Sequence, residues 1–185
     1  IAYLGSLGTW YLFEEMLILF KHLNKANQDF NFLFITNDLE TKYLNLINNK
    51  YSDLKNKIIF KSADRNKIRY LLGCADVTVS FIRPTYSKIA SSPTKFAEAL
   101  AMGLPVISNK GIGDIEDITN LLKAGVTIEL NDELGDLDYN NISLNNFFPN
   151  LSLTTSVKVC PSGYCSLTFF PNLISKNKGN AVPKA

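Results

Sequence analysis

Short apolar runs alternate with amphipathic stretches from residue 1 to about residue 130. The run IAYL at the start is typical of a buried strand, and residues 11–24 place apolar side chains three and four positions apart, which is the period of a helix. Repeated along the chain, this pattern predicts six strands, at 1–4, 31–36, 57–60, 76–81, 104–108 and 125–130. It also predicts helices at 11–24, 38–49, 64–73, 93–102 and 114–123.

The alternation of strands and helices decides the fold class. A strand that is followed by one helix and then by another strand favours parallel pairing, because such crossovers are right-handed and place the helix on a face of the sheet. We therefore predict an α/β fold, a Rossmann-like doubly wound parallel sheet of about six strands. Sheets of this kind bind ligands at the carboxyl ends of their strands.

The composition narrows the classes of function. Of the 185 residues, 46% are hydrophobic, which is enough for the core of one ordinary domain, and no run approaches the ~20 apolar residues of a membrane-spanning helix. The net charge is only +2, from 19 basic and 17 acidic residues, which argues against a nucleic-acid partner. One histidine and three scattered cysteines argue against a histidine metal centre or a protease-type triad. We therefore expect no metal and no cofactor.

The composition changes near residue 138. Residues 139–185 contain four lysines and no acidic residue, and neither a helix nor a strand period persists there. We predict a domain at 1–138 and an irregular, low-charge tail at 139–185. Because the chain opens with an apolar strand at Ile1, without a methionine or a leader pattern, we interpret it as a fragment of a longer protein.

The most informative stretch is SSPTKFAEALAMGLPVIS at 91–108. Ser92 is a good N-cap, Pro93 suits the first helical position, and Gly103 suits the left-handed residue that follows a helix. These residues predict about three helical turns. The start of this helix follows the strand at 76–81, so it lies at the ligand-binding edge of the sheet.

Polar groups would converge at the start of this helix. Its free N–H groups and its dipole favour an anion, and Lys95 adds an ammonium group nearby. The nearby hydroxyls belong to Ser91, Ser92 and Thr94. This combination suits a phosphate or a diphosphate.

Glu98 adds a second feature. It stands four residues after Thr94 and three after Lys95, so all three share one helix face. One turn beyond a phosphate, its carboxylate could accept hydrogen bonds from ribose hydroxyls. The alternative is a merely well-capped helix on which Lys95 and Glu98 form a solvated ion pair.

The turn after the first strand reads G-S-L-G at 5–8. Gly5 and Gly8 would let the backbone approach a diphosphate or a sugar closely, or they form a simple strand-to-helix turn. Trp10 and Tyr11 follow, and at the start of an amphipathic helix such residues are more typical of core or interdomain packing than of sugar stacking.

PTKFAEALAMGLPVI resembles the donor-binding signature of GT-B-fold, retaining glycosyltransferases of family 4, also called glycosyl transferases group 1. That signature has a small or polar residue before the helix, a Glu in its second turn and then Ala-Met-Gly-x-Pro-Val. YLGSLG (3–8) is similar to the first turn of the family's C-terminal domain, and GIGDIEDI (111–118) to its loop after the fifth strand. The resemblance covers roughly residues 1–131.

The resemblance implies the C-terminal half of a glycosyltransferase that transfers sugar from a nucleotide-diphosphate donor, a UDP-sugar, to a polysaccharide or a lipid-linked acceptor in the bacterial cell envelope. It implies catalytic roles for Lys95 and Glu98 and an N-terminal acceptor-binding domain as partner, without which this fragment has little activity. A cytoplasmic site, peripheral on the inner face of the cell membrane, follows from the lipid-linked acceptors. The implied donor-binding residues are Gly5, Gly8, Ser91, Ser92, Thr94, Lys95 and Glu98.

Two departures from the family pattern bear on the site. The family usually has a second Glu eight residues before the helix Glu, and this chain has Ala90 there. Many members also have an Arg and a Lys-Gly after the first strand, where this chain offers Ser6. Lys95 must then carry more of the anion binding, together with Arg83 or Lys88, unless those two are ordinary solvated loop charges.

Three other functions compete with this one. A non-hydrolysing sugar-nucleotide epimerase would need acidic and histidine residues that we do not find. A non-catalytic binding or assembly domain would explain the departures as lost activity. An NAD-binding domain is disfavoured because the first turn lacks the three-glycine fingerprint and the second strand ends in Thr36 and Asn37, not in an acid.

Overall fold

The computed structural model describes residues 1–8, 10–25 and 30–130. The predicted tail at 139–185, and the end of the predicted domain before it, lie outside these residues. The strands are β1 (Ala2–Leu4), β2 (Phe32–Ile35), β3 (Ile58–Lys61), β4 (Thr78–Ser80), β5 (Val106–Asn109) and β6 (Gly125–Ile128). The helices are α1 (Phe13–Lys25), α2 (Thr41–Lys50), α3 (Arg65–Leu72), α4 (Tyr86–Ile89), α5 (Thr94–Ala101) and α6 (Ile115–Leu122), with a 3-10 turn at Ser52–Lys57.

The six strands form one parallel sheet in the order β3-β2-β1-β4-β5-β6. The predicted doubly wound α/β fold is therefore confirmed. The strand order reverses between β1 and β4, and this switch point places a crevice at the carboxyl edge of the sheet, where the loops that leave these two strands lie.

The join between β1 and β4 is narrow. These two strands share a single registered pair, Ala2 with Thr78, whereas every other pair of neighbours shares three or four. A backbone hydrogen bond of 2.8 Å from the Ala2 N–H to the Val77 carbonyl also connects the two strands. The crevice thus lies directly above the least extensive pairing in the sheet.

Aromatic side chains fill the face of the sheet that α1 covers. Phe32 and Phe34 alternate with Leu33 along β2, so both rings point to the same face, where Phe20 of α1 lies 5.0 Å from Phe32 between ring centroids. On the opposite face, Phe96 of α5 packs in a second buried cluster. Among the described residues, the helices are all too short or too polar to span a bilayer.

The structure also contains elements that the pattern did not predict. Residues 86–89 form the single-turn helix α4, and a 3-10 turn follows α2. Helix α2 begins at Thr41, three residues later than predicted. Helix α4 matters most, because it lies in the long connection between β4 and α5 that borders the crevice.

Candidate functional site

The loops that leave β1 and β4 cross each other above the crevice. Tyr11 and Ile82 form an isolated antiparallel bridge. On either side of it, the Leu12 N–H donates to the Phe81 carbonyl at 3.1 Å and the Arg83 N–H donates to the Trp10 carbonyl at 2.8 Å. This crossing fixes the position of Tyr11 beside the start of α5.

Lys95 lies at the centre of the crevice. Its ammonium nitrogen is 4.0 Å from the centroid of the Tyr11 ring, a cation–π contact. The same side chain runs over Gly5, where a methyl group on the backbone would overlap the lysine ammonium. The structure therefore brings together Gly5 and Lys95, which are 90 positions apart in the sequence.

The Lys95 ammonium has no counter-ion among the residues that the structure describes. It is half-buried, and it forms neither an ion pair nor a hydrogen bond with any residue in the described part of the chain. The alternative in which Lys95 pairs with Glu98 is therefore wrong, because the lysine side chain packs on Tyr11 instead. Glu98 is exposed, and its carboxylate has no partner among the described residues either.

Helix α5 begins one residue later than predicted. Pro93 is the N-cap, with φ −68° and ψ 122°, and no side chain of the described residues caps the helix, so the prediction of Ser92 as N-cap and Pro93 as first helical residue is wrong. The extended ψ of Pro93 is the reason, since helical geometry starts only at Thr94. The backbone N–H groups of Thr94 and Lys95 have no acceptor among the described residues, so the positive end of the helix is open to a ligand.

The three hydroxyls near this helix end differ in their surroundings. The Ser91 hydroxyl donates to the Lys88 carbonyl at 3.0 Å and so helps to end α4. Ser92 and Thr94 are exposed. The Ser91 carbonyl in turn packs against Gly113, which leaves no space for a side chain there, so the loop after β5 supports the loop after β4.

Gly8 differs from Gly5 in that the protein's own packing does not require a glycine there. A methyl group at Gly8 would meet no atom of the described residues within 4 Å, and its φ is not in the left-handed region. Gly8 is also exposed. Open space therefore lies above this part of the turn.

Two more cations border the crevice. Lys88 lies over the Trp10 ring at 5.5 Å, and Arg83 is exposed. Neither forms an ion pair with a described residue. Trp10 is 45% exposed and is therefore not a core residue, so interdomain packing, the other role predicted for it, stays a prediction, whereas Tyr11 does pack against both core clusters. Two adjacent aromatic rings thus hold two lysines, which the sequence alone did not indicate.

The enclosed space below Lys95 is too small for a nucleotide. A cavity of about 10 Å³ lies between α5 and β4, lined among others by Leu4, Ser80 and Phe96. A ligand of nucleotide size would therefore occupy the open crevice above it. Within residues 1–8, 10–25 and 30–130, no three His, Cys, Asp or Glu side chains are grouped so that they could hold a metal ion.

The fold is the Rossmann-like half-fold of GT-B glycosyltransferases, with a basic crevice at the point where the strand order reverses. Residues 1–137 match the glycosyl transferases group 1 family, and the chain therefore belongs to that family. No curated protein matches the chain significantly by sequence. The retaining and family-4 details stay predictions.

Solved structures agree with this assignment at the level of the fold. WaaG, described as a glycosyltransferase involved in lipopolysaccharide biosynthesis, is 17% identical, with a TM-score of 0.58 over 80% of this chain and 38% of its own. TarM is 16% identical, with a TM-score of 0.52 over 71% of this chain and 25% of its own. The chain thus spans well under half of either protein.

Proposed function

We propose that this chain binds the diphosphate of a nucleotide-sugar donor, a UDP-sugar, and forms the donor-binding half of a glycosyltransferase. One observation carries the proposal: the Lys95 ammonium lies over Gly5 beside the backbone N–H groups of Thr94 and Lys95, and within residues 1–8, 10–25 and 30–130 neither the ammonium has a counter-ion nor these N–H groups an acceptor. A cation and a helix N-terminus at the switch point of an open α/β sheet match the charge and geometry of a diphosphate.

The same groups suit the chemistry of transfer. In the transfer, the bond between the anomeric carbon and the donor's phosphate oxygen breaks, the acceptor's hydroxyl oxygen forms the new bond to that carbon and its proton is released; the electron pair of the broken bond stays on the phosphate oxygen, where negative charge develops. The Lys95 ammonium and the amides of α5 would stabilise this charge, and one such donor typically contributes ~3–4 kcal/mol to lowering the barrier. Glu98, one turn further along α5, would accept hydrogen bonds from the ribose hydroxyls.

Family membership supports a proposal for the acceptor and for the partner domain. We infer a polysaccharide or lipid-linked acceptor, a further domain that binds it, and a cytoplasmic protein that associates with the membrane surface. The described involvement of WaaG in lipopolysaccharide biosynthesis supports this choice. Since Lys95 and the helix end supply positive charge themselves, we expect the donor to bind without a metal ion.

Calorimetry on the chain tests the donor site. We expect binding of at least one of UDP, GDP and ADP, with UDP preferred, and binding of inorganic pyrophosphate. Lys95→Ala should weaken both pyrophosphate and nucleotide by about ten- to a hundredfold, as for a lost charged hydrogen bond. Glu98→Ala should weaken only the nucleotide.

The matched control is Lys25→Ala. Lys25 is exposed at the last residue of α1, whose carboxyl end lies at the opposite edge of the sheet, so the variant loses the same charge without touching the crevice. Absence of binding at millimolar nucleotide and pyrophosphate, or equal affinity in the wild type and Lys95→Ala, would contradict the proposal.

A non-catalytic role is the second candidate, and one observation favours it. Ala90 ends α4 beside the crevice, and residues 82–93 contain no acidic side chain, so the loop after β4 lacks the carboxylate that the resembled family usually has there. Ala90→Glu in the full-length protein separates the two functions. A gain in turnover supports the enzyme, whereas intact donor binding with no gain supports a binding domain.

A further inference from the structure

We propose that Asn109 is a positioning residue for the anion site. Its buried side-chain amide fixes the position of the loop after β4. That loop pairs with Tyr11, and the Tyr11 ring in turn positions the Lys95 ammonium. The nature of the ligand rests on the function proposed above, but the positioning itself concerns the chain alone.

Asn109 extends the sheet beyond its regular ladder. The last registered pair between β4 and β5 is Ser80 with Ser108. Beyond it, the Asn109 side chain takes over: its Oδ1 accepts from the Ile82 N–H at 2.8 Å and its Nδ2 donates to the Ile82 carbonyl at 2.9 Å and to the Lys110 carbonyl at 3.0 Å. Asn109 is only 1% exposed, so it cannot touch a ligand in the crevice.

Only a carboxamide can make this set of bonds. It offers an acceptor and a donor side by side, as a peptide unit does, whereas a carboxylate lacks the donor and an apolar side chain lacks both. Ile82 is itself buried, so its N–H and carbonyl have no access to water in this position. Without the amide, the loop can satisfy these two groups only by moving outward to solvent.

A short series of contacts connects Asn109 with Lys95. On the side away from Asn109, Ile82 forms the bridge to Tyr11, and the two flanking backbone bonds of 3.1 and 2.8 Å complete the crossing. The centroid of the Tyr11 ring in turn lies 4.0 Å from the Lys95 ammonium nitrogen. Movement of Ile82 therefore removes the support below the cation that defines the anion site.

Trp10 makes the test direct, because it is the only tryptophan in the chain and its carbonyl takes part in the crossing. In Asn109→Ala we expect a lower fluorescence anisotropy of Trp10 and a pyrophosphate affinity at least about tenfold weaker by calorimetry. Asn109→Leu keeps the volume without the amide, so it should behave in the same way. Leu23→Ala, in the core cluster below α1, controls for lost stability and should keep both values.

The wild type provides a measurement that needs no variant. If Asn109 fixes the crossing, the amide hydrogens of Leu12, Ile82 and Arg83 exchange as slowly as those of the central strands. Fast exchange there would overturn the positioning role. So would folded Asn109 variants with unchanged Trp10 anisotropy and affinity, or an equal loss of affinity in Leu23→Ala. If the wild type binds neither pyrophosphate nor nucleotide, the proposed function fails, and anisotropy and exchange still decide the role of Asn109.

Discussion

Gly5 and Gly8 lie in one turn, yet the protein needs a glycine only at the first of them. Gly5 has a φ of +142°, which side chains other than glycine rarely adopt, and its missing side chain makes room for Lys95. Gly8 has no left-handed φ, and no atom of the described part of the chain would contact a side chain there. Because the fold itself does not require a glycine at position 8, we expect that the glycine there lets a ligand approach the backbone closely.

Alanine at these two positions should therefore affect different properties: stability at position 5 and ligand binding at position 8. We expect Gly5→Ala to lower the free energy of unfolding by about 1–3 kcal/mol, as strained backbone does. Gly8→Ala should leave it within about 0.5 kcal/mol but weaken nucleotide binding. Urea denaturation and calorimetry measure the two effects. Unchanged nucleotide affinity in Gly8→Ala would show that no ligand approaches the backbone there.

The residues of the site were only partly predictable from the sequence. The presence of the helix, Lys95 and Gly5 follow from turn and family signals that are local in sequence, whereas the first residue of the helix was predicted one position too early. The contact of Lys95 with Tyr11 does not, because these residues lie far apart and only the crossing loops bring them together. Asn109 carries no local signal at all, since its partner Ile82 is 27 positions away.

At the level of the element, the uncapped start of α5 is the decisive feature. A helix usually satisfies its first N–H groups with a side chain at the N-cap, and Pro93 cannot provide one. The helix is thus less stable than it could be, and its end remains open for an anion.

A carboxylate that caps α5 should raise the stability of the protein and lower its affinity for pyrophosphate. In Pro93→Asp, the new side chain can accept from the N–H groups of Lys95 and Phe96, which should raise the free energy of unfolding by about 0.5–2 kcal/mol. The same carboxylate would occupy the anion position and repel a diphosphate, so pyrophosphate binding should be lost. Pro93→Ala is the control without a cap. Denaturation measures the free energy of unfolding of both variants, and calorimetry measures their pyrophosphate affinity. Retained pyrophosphate binding in Pro93→Asp would contradict an anion site at this helix end.

The secondary structure was easier to predict than the site. All six strands and the five predicted helices are present, because their apolar periodicity is continuous over several residues. Helix α4 escaped prediction because four residues are too few for a period to show, and none of its side chains is buried. The one-residue error at Pro93 arose because proline suits both the N-cap and the next position by its φ, and only ψ distinguishes them.

At the level of the whole molecule, two buried tyrosines couple stability to alkaline pH. Burial raises the pKa of both Tyr3 and Tyr51 above its ordinary value, and the nearby Glu14 carboxylate adds to the effect at Tyr51. The folded state therefore keeps both protons at a pH where the unfolded chain begins to release them.

We expect the free energy of unfolding contributed by these groups to be constant below pH ~10 and to fall as the pH rises further. Each tyrosine adds up to about 1.4 kcal/mol per pH unit to the decline. Tyr51→Phe should remove its share of the slope, and Tyr86→Phe, at a position that is 93% exposed, should not. Urea denaturation from pH 8 to 11 measures the slope, and equal slopes in both variants would contradict this account.

The single registered pair between β1 and β4 has a consequence for how the sheet assembles. Residues 2 and 78 are far apart in sequence, so the three-stranded blocks on either side can each form through shorter loops before the two are joined. We therefore expect the junction to be the last part of the sheet to close and the first to separate. Since Gly5 belongs to one block and Lys95 to the other, a bound diphosphate would hold both together and act mainly by slowing unfolding.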